Sequence, residues 1–313
     1  MMKLKWTVKS FQNKSLSFIP LNLFNSSAQF GLPAKLNYVF YPSKNNDPDQ
    51  MNLVVLHGLL GSSANFQSIV KSHKISNFGD SFLLDLRNHG ASEHRETMDL
   101  EEMANDVHHF IEENQLQNNL VLLAHSFGAR VAMTFALQYP ELLKGLIIVD
   151  MAPYNYYNDP RFSFIKITHK LLGDLLSIDL KKDFTEIIES IKTHSPSQDF
   201  VGLLVGNVIP DPNGGYRWRI NLKTIFENYL KFQQVGPQVG PKGKFKGPVK
   251  VICGGMSDYV TQDILPNFCN IFENFEVSRD VTIIDGAGHW LHHQKPHEFI
   301  NVVGSFLQKL SNL

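Results

Sequence analysis

Short apolar runs recur along the chain, at Leu53-Val54-Val55-Leu56, Phe82-Leu83-Leu84, Leu120-Val121-Leu122-Leu123, Leu146-Ile147-Ile148-Val149, Val249-Lys250-Val251-Ile252 and Val281-Thr282-Ile283-Ile284. Between most of them the apolar positions fall at helical spacing, as at Met103, Val107, Phe110 and Ile111, which share one helix face. This alternation predicts an α/β class: a mostly parallel sheet with helices on both faces, whose ligands sit at the C-terminal strand ends. Between Pro153 and Gly247 the strand rhythm stops. Helical spacing takes over there, at Phe162, Ile165 and His169, at Phe184, Ile187, Ile188 and Ile191, and at Leu222, Ile225, Phe226 and Tyr229. An inserted helical cap is expected, with one hairpin after the Asn213-Gly214-Gly215 turn. The repeated Val-Gly-Pro of Gln233 to Pro248 reads as a flexible return linker, its Lys242, Lys244 and Lys246 solvated. The expected organisation is therefore an N-terminal extension (1–34), a core (35–152 and 248–313) and a cap (153–247).

Composition narrows the function. With 313 residues, 43% of them hydrophobic, the chain can bury a full core. A formal net charge of −1 gives no general attraction to nucleic acid or to an anionic membrane, so neither is expected as a partner. Cys253 and Cys269 form no metal-ligand spacing or disulfide framework, which fits a reducing compartment. No stretch approaches the roughly twenty apolar residues of a membrane span. From Met1 to Asn46 there are lysines at 3, 5, 9, 14, 35 and 44 and no acidic residue. That composition is read as a mitochondrial transit peptide, with a cytoplasmic tail as the alternative.

The chemistry is concentrated in a few strings. Leu120 to Leu123 leads into Ala124-His125-Ser126-Phe127-Gly128, and an Ala-rich helical pattern follows: strand, tight turn and helix, with a hydroxyl at the apex. A serine raised on such a turn needs a base, and Ser126 is read as a nucleophile. Gly286-Ala287-Gly288-His289-Trp290 follows the last apolar run and supplies the imidazole of His289. Histidines 289, 292, 293 and 297 lack companion thiol or carboxylate ligands, so no metal is expected. His57-Gly58-Leu59-Leu60-Gly61 lacks the Lys and Ser/Thr of a phosphate loop. It is read instead as half of an oxyanion hole, with Leu59 and Phe127 donating through their backbones. For the acid, Asp150, directly after Val149, is preferred over Asp258, with assistance from Ser257.

Together with Asp85-Leu86-Arg87-Asn88-His89-Gly90-Ala91-Ser92, Asp150-Met151-Ala152-Pro153, Trp218-Arg219 and Gly254-Gly255-Met256-Ser257, these strings resemble the α/β-hydrolase superfamily. Within it they look like the group of bacterial YbfF-type esterases and mitochondrial abhydrolase-domain protein eleven, over residues 35–310. The resemblance implies an α/β-hydrolase fold, a triad acid equivalent to Asp150, and hydrolysis of esters or thioesters of short to medium acyl chains without a cofactor. A small acyl ester or thioester is thus the expected partner, with Phe162, Trp218 and Trp290 lining its pocket. Ala124, Phe127 and Ala129 depart from the family's elbow, Gly-His-Ser-Met-Gly-Gly, and Phe127 is expected to narrow the acyl pocket. A catalytically weak binding protein and an acyltransferase on the same scaffold are the alternatives.

Overall fold

Every one of the six apolar runs falls in a strand of the computed structural model, which describes residues 31–45 and 50–313. The strands in chain order are β1 (Tyr38–Tyr41), β2 (Met51–Leu56), β3 (Gly79–Leu84), β4 (Leu120–His125) and β5 (Leu143–Val149), then β6 (Val208–Pro210), β7 (Tyr216–Trp218), β8 (Val249–Gly254) and β9 (Val281–Ile284). Pro33–Leu313 form one compact unit, and most of the basic extension expected over 1–34 lies outside the described residues. The main sheet runs β1-β3-β2-β4-β5-β8-β9. All its pairs are parallel except β1 against β3. The architecture is the one the resemblance implies: a mostly parallel sheet flanked by helices, with an inserted helical region.

Successive residues of a strand point to opposite faces, and β2 shows the result. Val54 and Leu56 join one buried cluster with Met103, Val107 and Ala132, whereas Leu53 and Val55 join another with Phe66, Phe299 and Val303. The first face is covered by the helices Leu100–Glu113 and Phe127–Gln138, the second by Pro296–Ser311. A sheet covered on both faces must be apolar throughout, which is why its central strands read as continuous runs. The helix Leu100–Glu113 begins with a capping box, Asp99 and Glu102, that satisfies its first free amides.

Register sets the site. Leu56 pairs with Ala124 and Ala124 with Ile148, so β2, β4 and β5 end level with one another. The residues that follow, His57-Gly58, Ser126 and Asp150, therefore emerge along one edge. Between β5 and β8 lie four helices, Phe164–Leu176, Phe184–His194, Gln198–Val205 and Leu222–Gln234, and the β6–β7 hairpin. In the return segment Gln233 and Gln234 complete a helix, and the residues after them are largely irregular. Lys242 pairs with Glu141 at 2.8 Å and Lys246 with Glu273 at 3.3 Å, and Phe245 bridges to Phe272. The acids missing from the local sequence come from distant segments.

Candidate active site

Ser126 stands between β4 and the helix Phe127–Gln138 with φ 53° and ψ −120°, a backbone state that L-residues rarely adopt. Its amide donates to Val149 O at 2.9 Å, which ties the turn to β5. The turn is tight enough to dictate its neighbours. A Cβ on Gly128 would lie 2.4 Å from His57 O, so no other residue fits there without movement of the backbone. Ala124, two residues before the serine, is accommodated with its methyl fully buried.

The turn meets a second segment 163 residues away: His289 Nε2 is 2.8 Å from Ser126 Oγ. On the other side of the ring, His289 Nδ1 is 2.6 Å from Asp150 Oδ2. Asp150 is wholly buried, and its φ of 51° turns the carboxylate toward the ring. Its other contacts keep it there: Gly254 N–H donates to Oδ1 at 3.1 Å, and the Ser257 hydroxyl donates to Oδ2. Asp258 is exposed, one residue past that hydroxyl. The geometry thus brings Ser126, His289, Asp150 and Ser257 together and leaves Asp258 outside.

Neighbouring histidines are structural. His125 Nε2–H donates to the His289 backbone carbonyl at 2.9 Å, fixing the loop that carries the imidazole. Burial holds its pKa well below the usual histidine value, so the ring stays neutral. His57 Nε2 accepts from Leu86 N–H at 3.0 Å, and its Nδ1–H donates to Gly58 O at 2.7 Å. His292, stacked 4.4 Å from Phe66, is pushed down to about 3 by burial. Among the described residues no group of three His, Cys, Asp or Glu side chains is placed to hold a metal.

The loop Gly58 to Gly61 is clamped from both sides. Leu60 has a φ of 62°; its N–H donates to His89 Nε2 at 3.1 Å, and its carbonyl accepts from Asn207 Nδ2 at 2.7 Å. His89 is pushed down to about 3, chiefly by burial, so it remains an acceptor at neutral pH. Arg87 anchors the following loop through two hydrogen bonds to Asp106, at 2.5 and 2.7 Å, and one to Glu102 at 2.7 Å. Among the described residues neither the Leu59 nor the Phe127 amide has a hydrogen-bond acceptor. These two donors are therefore open to a ligand.

Ser126 and His289 line one open-mouthed cavity. Its apolar wall includes Phe127, Met151, Phe200, Leu203 and Trp290. Phe127 packs on Phe232 with ring centroids 4.5 Å apart. Phe200 meets Trp290 edge-on at 5.1 Å. Two expected pocket residues lie elsewhere. Phe162 is buried against Tyr154, Tyr156 and Phe164, and Trp218 pairs with Val208 in the hairpin. Both rings pack against the core instead. Phe200 and Tyr259 carry no distinguishing local signal and were missed. Tyr259 lies face to face on His289.

Comparison with known proteins follows this geometry. The family described as alpha/beta hydrolase fold matches residues 52–296. An sn-1-specific diacylglycerol lipase ABHD11 of Danio rerio is 31% identical over 91% of this chain and 86% of its own. A Saccharomyces cerevisiae protein named "Probable alcohol acetyltransferase" is 29% identical over 82% of this chain and 77% of its own. Among solved structures, a marine microorganism esterase superposes with a TM-score of 0.77 at 30% identity, covering 87% of this chain and 99% of that one. The chain belongs to the α/β-hydrolase family, as a hydrolase of the esterase/lipase type related to the ABHD11-like proteins.

Proposed function

We propose that this protein is a serine esterase that cleaves carboxylic esters or thioesters of short to medium acyl chains through an acyl-enzyme. The observation that carries the reading is the continuous contact from Ser126 Oγ through His289 to Asp150, 2.8 Å on one side of the ring and 2.6 Å on the other. His289 Nε2 takes the hydroxyl proton as Ser126 Oγ bonds to the carbonyl carbon. The oxyanion is held by the Leu59 and Phe127 N–H groups; loss of one such donor typically costs about a hundredfold to a thousandfold in rate. As the tetrahedral adduct collapses, His289 gives its proton to the departing alcohol or thiol. Water, deprotonated by the same nitrogen, then attacks the acyl-enzyme and frees the acid and Ser126. Asp150 holds the imidazole in the tautomer with Nδ1 protonated and stabilises its charged form. Ser257 steadies Asp150.

The test is a panel of 4-nitrophenyl esters and acyl-thioesters of graded length. Turnover with a maximum among short to medium chains is expected, and absence of turnover on every member contradicts the reading. Acyl transfer to an alcohol is a second reading, favoured by the likeness to the yeast protein named as an acetyltransferase. Product analysis with an alcohol acceptor present separates the two. The proposal extends to organisation, with a core over 35–152 and 248–313 and a cap over 153–247. It also places the protein in mitochondria, on the acid-free, lysine-bearing composition of its first 46 residues. A reporter fused to residues 1–35 that stays cytosolic would contradict that location.

A further inference from the structure

Arg130 lies one helical turn beyond Ser126, on the same side of the helix, and lines the same cavity. Its side chain is wholly buried. Nη1 donates to Tyr154 O at 3.2 Å and Nη2 to Val235 O at 2.9 Å, while among the described residues the Nε–H has no acceptor. Among the described residues no carboxylate pairs with it; the guanidinium lies over the Tyr156 ring, 5.9 Å from its centroid. Burial lowers its pKa only to about 10, so the guanidinium is charged at neutral pH.

This placement is costly in two ways. A buried charge without a counter-ion loses hydration that two carbonyls and one ring face replace only in part. Arg130 also sits in the first turn of its helix, where the backbone dipoles already present positive charge and disfavour a cation. Both effects leave positive potential on the cavity wall beside the nucleophile. Gln233, from the last turn of the helix Leu222–Gln234, lines the same cavity with its Oε1 unpartnered. Rotation of that amide turns an N–H toward a bound anion. Thr168 and Tyr229, hydrogen-bonded to each other, line the same wall.

We propose that Arg130 and Gln233 form an anion-recognition subsite in the Ser126 cavity, and that the substrates are esters or thioesters bearing a carboxylate. The inference rests on the reading of Ser126 as the nucleophile. The carboxylate makes and breaks no covalent bond; it supplies the counter-charge that no described residue provides and orients the acyl carbonyl. It can belong to the acyl group or to the leaving alcohol.

The experiment compares charged and neutral twins in both arms. On the acyl side these are 4-nitrophenyl hydrogen glutarate and 4-nitrophenyl valerate; on the alcohol side they are 3-carboxyphenyl valerate and 3-carbamoylphenyl valerate. In one arm the charged twin is expected to have a kcat/KM about tenfold to a hundredfold higher, the range of a charge-assisted contact. Arg130→Met should bring that ratio near one. Because Arg130 also holds Tyr154 O and Val235 O, Gln233→Glu serves as a second variant that sets a carboxylate in the same wall, and it should reverse the preference. Turnover of the neutral twins with no charged preference in either arm overturns the proposal, as does a ratio unchanged in Gln233→Glu. Absence of all turnover sinks the esterase reading instead. Free glutarate then decides the subsite by itself: a rise in Tm that Gln233→Glu removes supports it, and no rise overturns it.

Discussion

The Tyr259 ring lies over the His289 imidazole, centroids 3.8 Å apart and planes 16° from parallel. An aromatic face attracts a cation, so this stack stabilises the imidazolium that forms as Ser126 gives up its proton. The same loop places the Ser257 hydroxyl on Asp150, with Tyr259 N–H donating to Ser257 Oγ at 3.2 Å. One short segment after β8 thus supports two members of the site.

Tyr259→Leu is expected to lower kcat/KM about threefold to thirtyfold, because the imidazolium formed in the transition state loses the ring face. Tyr259→Phe keeps the ring and should stay near wild type. Steady-state kinetics from pH 5 to 9 check this. A wild-type kcat/KM in Tyr259→Leu would show that the stack is packing alone.

The two candidate acids differ in contact, and substitution separates them. Asp150→Asn removes the acceptor for His289 Nδ1 and is expected to lower kcat by about 10⁴-fold. Asp258→Asn alters an exposed side chain and should leave kcat within about twofold. A large loss at Asp258 with little at Asp150 would reverse the assignment.

Asn207, from the cap, donates to Leu60 O and so braces the loop carrying Leu59. Asn207→Ala leaves that buried carbonyl without its donor, a loss of about 1–3 kcal/mol. The expected result is a lower kcat on short esters with KM little changed, since the oxyanion forms after binding. A variant with wild-type kcat would mean that the loop holds without the cap.

Much of this was legible in the sequence for a physical reason. Central strands buried on both faces must be apolar throughout, so β2, β4, β5 and β8 announce themselves. Ser126 and Gly128 are legible because the turn tolerates few residue types, and His289 because glycines flank it. β1 was not legible: it is a four-residue edge strand, alternately exposed and half-buried, whose partner β3 is distant in sequence. Arg130, Asn207 and Tyr259 were not legible either. Each owes its place to a contact made across the fold by a residue type that is ordinary in its own segment. The choice between Asp150 and Asp258 lay between the two cases, because it turned on backbone direction after β5 and β8.

Buried neutral histidines give the protein an acid-sensitive fold. His89 and His292 titrate at about 3 when folded, because burial disfavours the charged ring, and near the ordinary value of about 6.5 when unfolded. Below pH 6.5 the unfolded state therefore binds more protons, and stability falls with pH down to about 3. Each such histidine removes up to about 1.4 kcal/mol per pH unit within that window. Thermal unfolding should give a Tm that is level above pH 7 and declines steeply below pH 6. A Tm unchanged between pH 7 and 5 would contradict the neutral burial of these rings.

The most direct measurement is covalent labelling by a fluorophosphonate, with the adduct located by peptide mass spectrometry and ester turnover followed on the same samples. The wild-type protein should take up one equivalent at Ser126 as turnover disappears, and folded Ser126→Ala should neither label nor turn over ester. Labelling at another residue, or ester turnover retained in Ser126→Ala, would show that Ser126 and His289 do not carry the reaction.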